Sequence, residues 1–471
     1  MSLELVGIAL LLLATVLIIG KWIRLKIPLL QTLFLPSSLI GGFLALILGP
    51  ELLGRFGSDN SFLSDGGIFT SGIIDVWSGL PELLINVVFA SLFIGFVLPK
   101  PKKMWETGGP QAALGFTMSW AHYVAGILLA ITILTPLFGL SPAAGALIEI
   151  SFVGGHGTAA GLSGTFEDLD FSEGYDLSIG LATIGLLSGV IIGMILINWA
   201  ARTGKSKTLQ HPDAISVEQQ NGIIDEENRE AGTIQTTSSM SIEPLALHMG
   251  FIAVAILIGY ILLEGCVWLE EITYGSAYNL YLFEYIPLFP FAMIGGIILQ
   301  LVLARFDKRK LVDRKTITRI QGLSLDLLIV SAMASISLTV IGEYLIPFLL
   351  LALAGIAINV FFFLYLGPRM IPDFWFERGI GDFGQAMGVA ATGIMLMRIV
   401  DPENKSPAFN AFGYKQILFE PMLGGGLVTA VAMPFILQFG SIPVLIASTI
   451  LMISSWAIGV FYFGNKKQAD G

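Results

Sequence analysis

Residues 142–166 read PAAGALIEISFVGGHGTAAGLSGTF, an apolar stretch that glycines interrupt in its middle. This interruption decides the fold, because a break in the helical backbone is tolerated within hydrocarbon only where protein or a water-filled cavity satisfies the freed N–H and C=O groups. A second Gly-rich apolar stretch, residues 379–398, is interrupted in the same way. We therefore predict two broken helices, folded as re-entrant hairpins, whose tips lie at a cavity.

The composition around these stretches is that of a membrane protein. Of the 471 residues, 55% are hydrophobic and 13% are charged, and the mean hydropathy is +0.80. Soluble chains carry about 25% charged residues, so this chain lacks the charge to cover a soluble surface. We predict an all-α polytopic membrane protein. The net charge of -10 argues against nucleic acid as a partner, and the single cysteine, Cys266, excludes an internal disulfide.

Apolar runs long enough to cross about 30 Å of hydrocarbon predict the membrane spans. Eleven such runs lie at residues 5–21, 33–53, 82–98, 112–135, 177–200, 245–264, 285–303, 321–342, 345–366, 416–437 and 442–463. With the N-terminus outside and both hairpins returning to their own side, every Lys and Arg except Arg55 falls on the cytoplasmic side. This distribution follows the positive-inside rule, and it predicts a cytoplasmic C-terminus.

The two halves of the chain repeat each other. Three sets of residues recur in the same order and spacing: Pro36, Gly41 and Gly42 with Pro290, Gly295 and Gly296; Asn86 and Ser91 with Asp326 and Ser331; and Gly154, Gly157, Ala159 and Gly161 with Gly381, Gly384, Ala386 and Gly388. We predict repeats at 1–202 and 244–440, a flexible cytoplasmic linker at 203–243 and an extra C-terminal span at 441–471. Five spans and one hairpin per half invert the second repeat. Inverted repeats with Gly-interrupted segments indicate a secondary transporter.

The broken segments predict a binding site for an anion. A half-helix that begins near Thr158 would direct its N-terminal N–H groups and its positive dipole end at the cavity, which favours a carboxylate. The second hairpin would do the same from the cytoplasmic side, with a half-helix that begins near Gly384 or Gln385. Two tips that meet near the midplane would form one site with two gates. The predicted substrate-binding residues are Gly154, Gly155, His156, Gly157, Thr158, Gly384, Gln385, Thr392 and Arg398.

Ionisable residues at membrane depth are candidates for function, because each is costly to place there. The predicted sodium-binding candidates are Glu149, Asp326, Asp382 and Ser331. Asp382 either coordinates a cation with unwound backbone or caps the following half-helix, and Glu149 reaches either the cavity or the wet mouth of its hairpin. Asp326 either binds an ion or bonds a neighbouring helix, whereas Ser331 either binds an ion or serves close helix packing.

Two further ionisable residues leave alternatives open. His156 bonds either the substrate or its own backbone, where it would shape the tip. Arg398 either pairs with a substrate carboxylate or lies at the membrane interface on the positive side. Carbonyl oxygens freed at the breaks, with Ser, Thr or carboxylate side chains, suit a dehydrated sodium ion, so we expect sodium as the coupling ion. No pair among the four histidines has the spacing of metal ligands, and we expect no other metal or cofactor.

Three segments resemble the bacterial sodium/glutamate symporter family. They are Gly154-Gly155-His156-Gly157-Thr158-Ala159-Ala160, Ser324-Leu325-Asp326-Leu327 followed by Ala332-Met333, and Phe89-Ala90-Ser91. The resemblance extends over about residues 1–440. It implies two inverted five-span repeats with re-entrant hairpins, and a homodimer in the bacterial inner membrane. It also implies sodium-coupled uptake of L-glutamate, with an elevator-type movement of a substrate-carrying core against a dimer scaffold, and binding residues at both hairpin tips.

Other functions are compatible with some of the same residues. The chain departs from the family in its linker, its eleventh span and its loosely matching second hairpin. A sodium-coupled transporter of another small carboxylate, such as a 2-hydroxycarboxylate, is one alternative, and a cation/proton antiporter that uses Asp326 and Asp382 is another. A channel is disfavoured because no filter sequence is repeated. An enzyme is disfavoured because the chain has neither an HExxH motif nor a Gly-x-Ser-x-Gly nucleophile turn.

Overall fold

The computed structural model describes residues 2–56, 67–96, 100–208, 221–229, 231–276, 281–402 and 404–465. All regular secondary structure in these ranges is helical. Ten of the described helices are long and apolar enough to cross a membrane. Parts of the predicted linker, residues 209–220 and 230, and the end of the predicted tail, residues 466–471, lie outside the described residues.

The principal helices are labelled in chain order. They are α1 (Leu3–Lys26), α2 (Ser37–Leu48), α3 (Ser71–Ser91), α4 (Pro101–Leu129), α5 (Leu147–Phe152), α6 (Gly155–Gly161), α7 (Glu173–Thr203), α8 (Pro244–Glu270), α9 (Leu288–Phe306), α10 (Arg314–Ala334), α11 (Leu345–Met370), α12 (Trp375–Ala386), α13 (Ala390–Val400), α14 (Ala408–Phe419), α15 (Leu427–Phe439) and α16 (Ser441–Ala457). Helical turns extend α4 to Phe138 and α16 to Gly464, and the turn Pro142–Ala146 precedes α5.

The predicted tenth span, residues 416–437, is wrong as a single helix. α14 ends at Phe419 and α15 begins at Leu427. Between them, Gly424 and Gly425 have φ angles of 71° and 102°, which interrupt a right-handed helix and suit glycine. Hydropathy does not register backbone conformation, so the apolar run concealed this break. The other ten predicted spans each correspond to one long helix, although their ends differ by several residues.

The described chain forms two compact units. Unit 1 consists of Met1–Val97, Ala160–Asp170 and Val217–Thr339, and unit 2 consists of Leu98–Ala159, Phe171–Ser216 and Val340–Gly471. Each unit therefore takes helices from both predicted repeats. The compact units do not coincide with the predicted repeats, which are contiguous along the chain.

Within unit 1, the two predicted repeats make corresponding contacts. A side chain at Gly41 on α2 would press on the carbonyl of Val16 on α1, and a side chain at Gly295 on α9 would collide with the carbonyl of Ala255 on α8. Small residues allow helices to approach this closely in membranes. The first and second helices of each predicted repeat are thus packed through the same glycine position.

In unit 1, the contacts between second and third helices connect one predicted repeat to the other. Gly42 on α2 faces Met333 on α10, and Gly296 on α9 faces the carbonyl of Ala90 on α3. The second helix of each predicted repeat therefore packs on the third helix of the other. Buried apolar clusters fill both places, one around Trp77 and Val330 and the other around α8 and α9.

Unit 2 contains the helix breaks. The second predicted hairpin is a pair of helices, α12 and α13, and it packs through glycines: an added Cβ at Gly384 would lie 2.7 Å from Cα of Gly393. α4 is the long helix of this unit, and α11, α14 and α16 all pack on it. α5 packs on α7 and on α11.

Both breaks differ from their predicted positions. α5 ends at Phe152 and α6 begins at Gly155, so the half-helix starts earlier than Thr158. α12 continues to Ala386 and α13 begins at Ala390, so Asp382, Gly384 and Gln385 lie inside a helix and not at a tip. The reason is that Gly384 serves the packing of α12 on α13 and does not interrupt α12. The predicted first hairpin is also divided, with 142–159 in unit 2 and 160–166 in unit 1.

Candidate functional site

The two helix breaks touch each other within unit 2. Gly155 has a φ of 69°. A Cβ at this position would collide with the carbonyl oxygen of Gly388 and would lie 2.7 Å from Cγ1 of Val389. The backbone of the first break therefore rests directly on the backbone of the second.

Two buried hydroxyl groups flank the first break. Ser151 on α5 is 0% exposed and Thr158 on α6 is 1% exposed. Neither hydroxyl has a hydrogen-bond partner among the described residues. Most buried polar groups are paired, so these two are available to a ligand. Thr158 was predicted to bind substrate; Ser151 was missed, although its position one turn before the glycines could have indicated it.

His156 lies at the start of α6 and is buried. Its Nε2 is 2.9 Å from the hydroxyl oxygen of Thr183 on α7. That hydroxyl donates to the carbonyl of Ile179 at 3.0 Å, so its oxygen accepts from His156 and the imidazole proton is on Nε2. In this structure the histidine anchors the first break to α7, and neither of the two predicted roles describes this bond.

Glu149 on α5 is fully buried, and three donors hold its carboxylate. The Tyr123 hydroxyl donates to Oε2 at 2.8 Å. The Gly424 N–H and the Thr429 hydroxyl each donate to Oε1 at 3.0 Å. Hydrogen bonds to a charged group are strong, so these contacts satisfy the carboxylate without a cation. They also connect α5 to the Gly-rich break before α15. The sequence predicts neither this break nor a role for Tyr123 and Thr429.

A second buried network supports the end of α12. The Asn359 side chain on α11 donates to the carbonyl of Ala386 at 2.6 Å. Its Oδ1 lies 3.0 Å from Nε2 of His122 on α4, and because Asn359 is the donor at its other end, His122 donates here. The structure thus places His122 where it holds the second break through Asn359.

The charged and amide groups of α12 lie among side chains of unit 2. Asp382 forms an ion pair with Lys415 on α14 at 3.4 Å, and Lys415 also donates to Oε1 of Gln385. Thr392 is buried in the first turn of α13. Lys415 was missed because the charge distribution placed it in a cytoplasmic loop.

The structure separates two arginines of the second hairpin. Arg398 is exposed, and nothing in the described structure brings it to the helix breaks. Arg378 is buried and contacts Asp373, the side chain of Gln111 at 3.3 Å and the carbonyl of Thr107 at 2.7 Å. Arg378 thus joins α12 to α4, and it was not among the predicted residues.

Two predicted sodium candidates lie in unit 1. The Ser331 hydroxyl donates to the carbonyl of Leu328 at 3.0 Å, and that of its repeat partner Ser91 donates to the carbonyl of Val88 at 2.8 Å. Asp326 lies on α10 with an exposed side chain. The described residues contain no group of three or more His, Cys, Asp or Glu side chains that could hold a metal ion. Hydroxyl and backbone carbonyl oxygens are ligands that suit sodium.

Comparison with known proteins gives one family for these residues. The family model described as sodium/glutamate symporter matches residues 76–400, more than half of the chain. A sodium/glutamate symporter of Haemophilus influenzae is 22% identical over 416 residues, which cover 87% of this chain and 90% of the relative. The family match contains both touching breaks and Glu149, His156 and Asp382, whereas Lys415 lies outside it.

Proposed function

Because the chain belongs to the sodium/glutamate symporter family, we propose that it imports L-glutamate together with sodium. Family membership and the ten long apolar helices among the described residues make the chain a multi-pass membrane transporter. Sodium that moves with the membrane potential gains about 2.3 kcal/mol per charge per 100 mV. That energy would drive an anionic amino acid inward against its own potential.

The contact between the two breaks carries the proposal for the binding site. Gly155 touches Gly388 and Val389. Ser151 and Thr158, whose hydroxyls have no partner among the described residues, lie about one turn before and after Gly155 along the chain. The N-terminal N–H groups of α13 begin here as well, and such groups favour a carboxylate. The proposed substrate site therefore comprises Gly154, Gly155, His156, Gly157 and Thr158 from the first break, with Gln385 and Thr392 from the second hairpin. Gly384 contributes by close packing, and the exposed Arg398 is not included.

The proposed sodium ligands are oxygen atoms that have no other partner. The Ser151 and Thr158 hydroxyls meet this requirement in unit 2. Asp326 remains a candidate in unit 1, whereas the Ser331 hydroxyl does not meet this requirement because it donates to the carbonyl of Leu328. Glu149 is proposed to fix the first break, because its three donors already satisfy the carboxylate.

The division into two units supports an elevator-type mechanism. Unit 2 contains both breaks and would carry the substrate, while unit 1, built from α1–α3 and α8–α10, would form the scaffold of a homodimer. The corresponding glycine contacts of unit 1 support two inverted repeats. We propose re-entrant hairpins at the breaks, an external N-terminus, a cytoplasmic C-terminus and location in the bacterial inner membrane.

Uptake into proteoliposomes tests the proposed function. Purified protein is reconstituted, and labelled L-glutamate is added with an inward sodium gradient or with potassium alone. The proposal predicts accumulation that requires sodium and that unlabelled glutamate abolishes. Absence of uptake by a folded, correctly oriented preparation would refute glutamate as the substrate. The family gives no support to the 2-hydroxycarboxylate and antiporter alternatives, so they are not proposed.

A further inference from the structure

Lys415 is a buried cation that the proposed function does not use. It lies on α14 in unit 2, and its side chain is 2% exposed. A charged side chain inside a membrane protein is costly, and it is retained where it has a partner or a role. Because the residue lies outside the part of the chain that the family model matches, its role has to follow from its own contacts.

Groups that suit a cation surround the ammonium of Lys415. Its Nζ lies 3.4 Å from Oδ1 of Asp382 on α12. It donates a hydrogen bond to Oε1 of Gln385, one turn later on the same helix. The centroid of the Phe419 ring lies 4.2 Å from Nζ, within the range of a cation–π interaction. A carboxylate, an amide oxygen and a ring face thus enclose one positive charge.

Asp382 has Lys415 as its ion-pair partner, and the Gln111 side chain and the charge of Arg378 act on it more weakly. Its side chain is 0% exposed, and by the usual limits of distance and angle neither carboxylate oxygen accepts a hydrogen bond from the described residues. Arg378, one turn earlier, is engaged by Asp373 and Gln111. The separation of 3.4 Å between Lys415 and Asp382 exceeds the length of about 2.7–2.9 Å that is typical of a charge-assisted hydrogen bond. Lys415 therefore neutralises the carboxylate mainly by its proximity.

A desolvated carboxylate with a loose partner would attract any small cation. We propose that the ammonium of Lys415 occupies the cation position at Asp382, so that sodium does not bind this carboxylate in the wild-type protein. The inference rests on the proposed function, in which sodium is the coupling ion. It removes Asp382 from the predicted sodium ligands, and it explains why Gln385 is held in a fixed orientation beside the second break.

Counting the bound sodium ions tests this inference. The full-length wild type, Lys415→Met and the double variant Lys415→Met/Asp382→Asn are purified, and the binding of radioactive sodium is measured to saturation without glutamate. Lys415→Met is expected to bind one sodium ion more than the wild type, because Asp382 then lacks its cation. The double variant is expected to bind the wild-type number. An unchanged number in folded Lys415→Met would overturn the inference.

If Lys415→Met does not fold, the double variant alone still tests whether sodium binds Asp382 in the wild-type protein. Replacing both members of a buried ion pair is often tolerated, whereas removing one is strongly destabilising. The loss of one sodium ion in the double variant would mean that Asp382 binds sodium beside Lys415, and this would overturn the inference. The proposed function fails by a different result, namely a wild type that binds no sodium and accumulates no glutamate.

Discussion

Replacing Gly155 by alanine perturbs the contact between the two breaks. Gly155 has a φ of 69°, and an L-residue in this conformation costs about 1–2 kcal/mol. The added Cβ would also collide with the carbonyl of Gly388 and crowd Val389, and overpacking of this kind costs about 1–3 kcal/mol. The two effects together predict a destabilisation of about 2–5 kcal/mol.

Gly139 offers a matched control in the same unit. It has the same φ of 69°, but a Cβ there would meet no atom within 4 Å. Gly139→Ala therefore costs only the backbone term, about 1–2 kcal/mol. The difference between the two variants isolates the contact between the breaks.

Thermal unfolding of both variants in detergent, together with uptake at equal protein amounts, measures this difference. Gly155→Ala should have the lower Tm. Its uptake should fall at least tenfold, since a loss of only about 1.4 kcal/mol in the binding free energy of glutamate already weakens its affinity tenfold. Equal Tm values for the two variants, with wild-type uptake by Gly155→Ala, would refute the contact.

Three further substitutions test separate parts of the account. Glu149→Gln weakens three charge-assisted hydrogen bonds, each worth about 1.5–3 kcal/mol, so its Tm should fall further than that of Thr429→Val, which removes one; the reverse order would contradict the network. Asp313 caps α10, so Asp313→Ala should cost about 1 kcal/mol. Burial raises the pKa of Asp313, but the Thr316 hydroxyl and three backbone N–H groups lower it below its ordinary value. The loss in Tm of Asp313→Ala should therefore be complete above about pH 4 and should decline only as the pH falls further, through the lowered pKa of Asp313, and a loss that is independent of pH would exclude a charged cap. Arg398 is exposed, so Arg398→Gln should keep the KM for glutamate, and a KM raised tenfold would return this residue to the site.

The sequence predicted the features that hydropathy and glycine spacing control. Ten of the eleven predicted spans are long helices, because a long apolar run has few other solutions in a bilayer. The first break was predicted to within a turn because its glycines lie side by side. The repeat positions Gly41 and Gly295 also make corresponding contacts.

The sequence did not predict features that depend on tertiary packing. The glycines of α12 were interpreted as a break, whereas Gly384 packs against Gly393 and the break follows Ala386. Lys415 was assigned to a loop by its charge, although it is buried against Asp382. Tyr123 and Thr429, which donate hydrogen bonds to Glu149, lie far from that residue along the chain. No local sequence pattern relates them to Glu149.

Glutamate binding by Thr158→Val tests the central claim most directly. The Thr158 hydroxyl is buried without a partner among the described residues, so the isosteric change removes no bond of the empty protein and should leave Tm equal or higher. Binding of L-glutamate to purified wild type and variant is measured calorimetrically, with and without sodium. The account predicts that binding requires sodium and that the variant binds at least tenfold more weakly, a loss of about 1.4 kcal/mol. Equal sodium-dependent affinity in both proteins would contradict a glutamate site at the touching breaks.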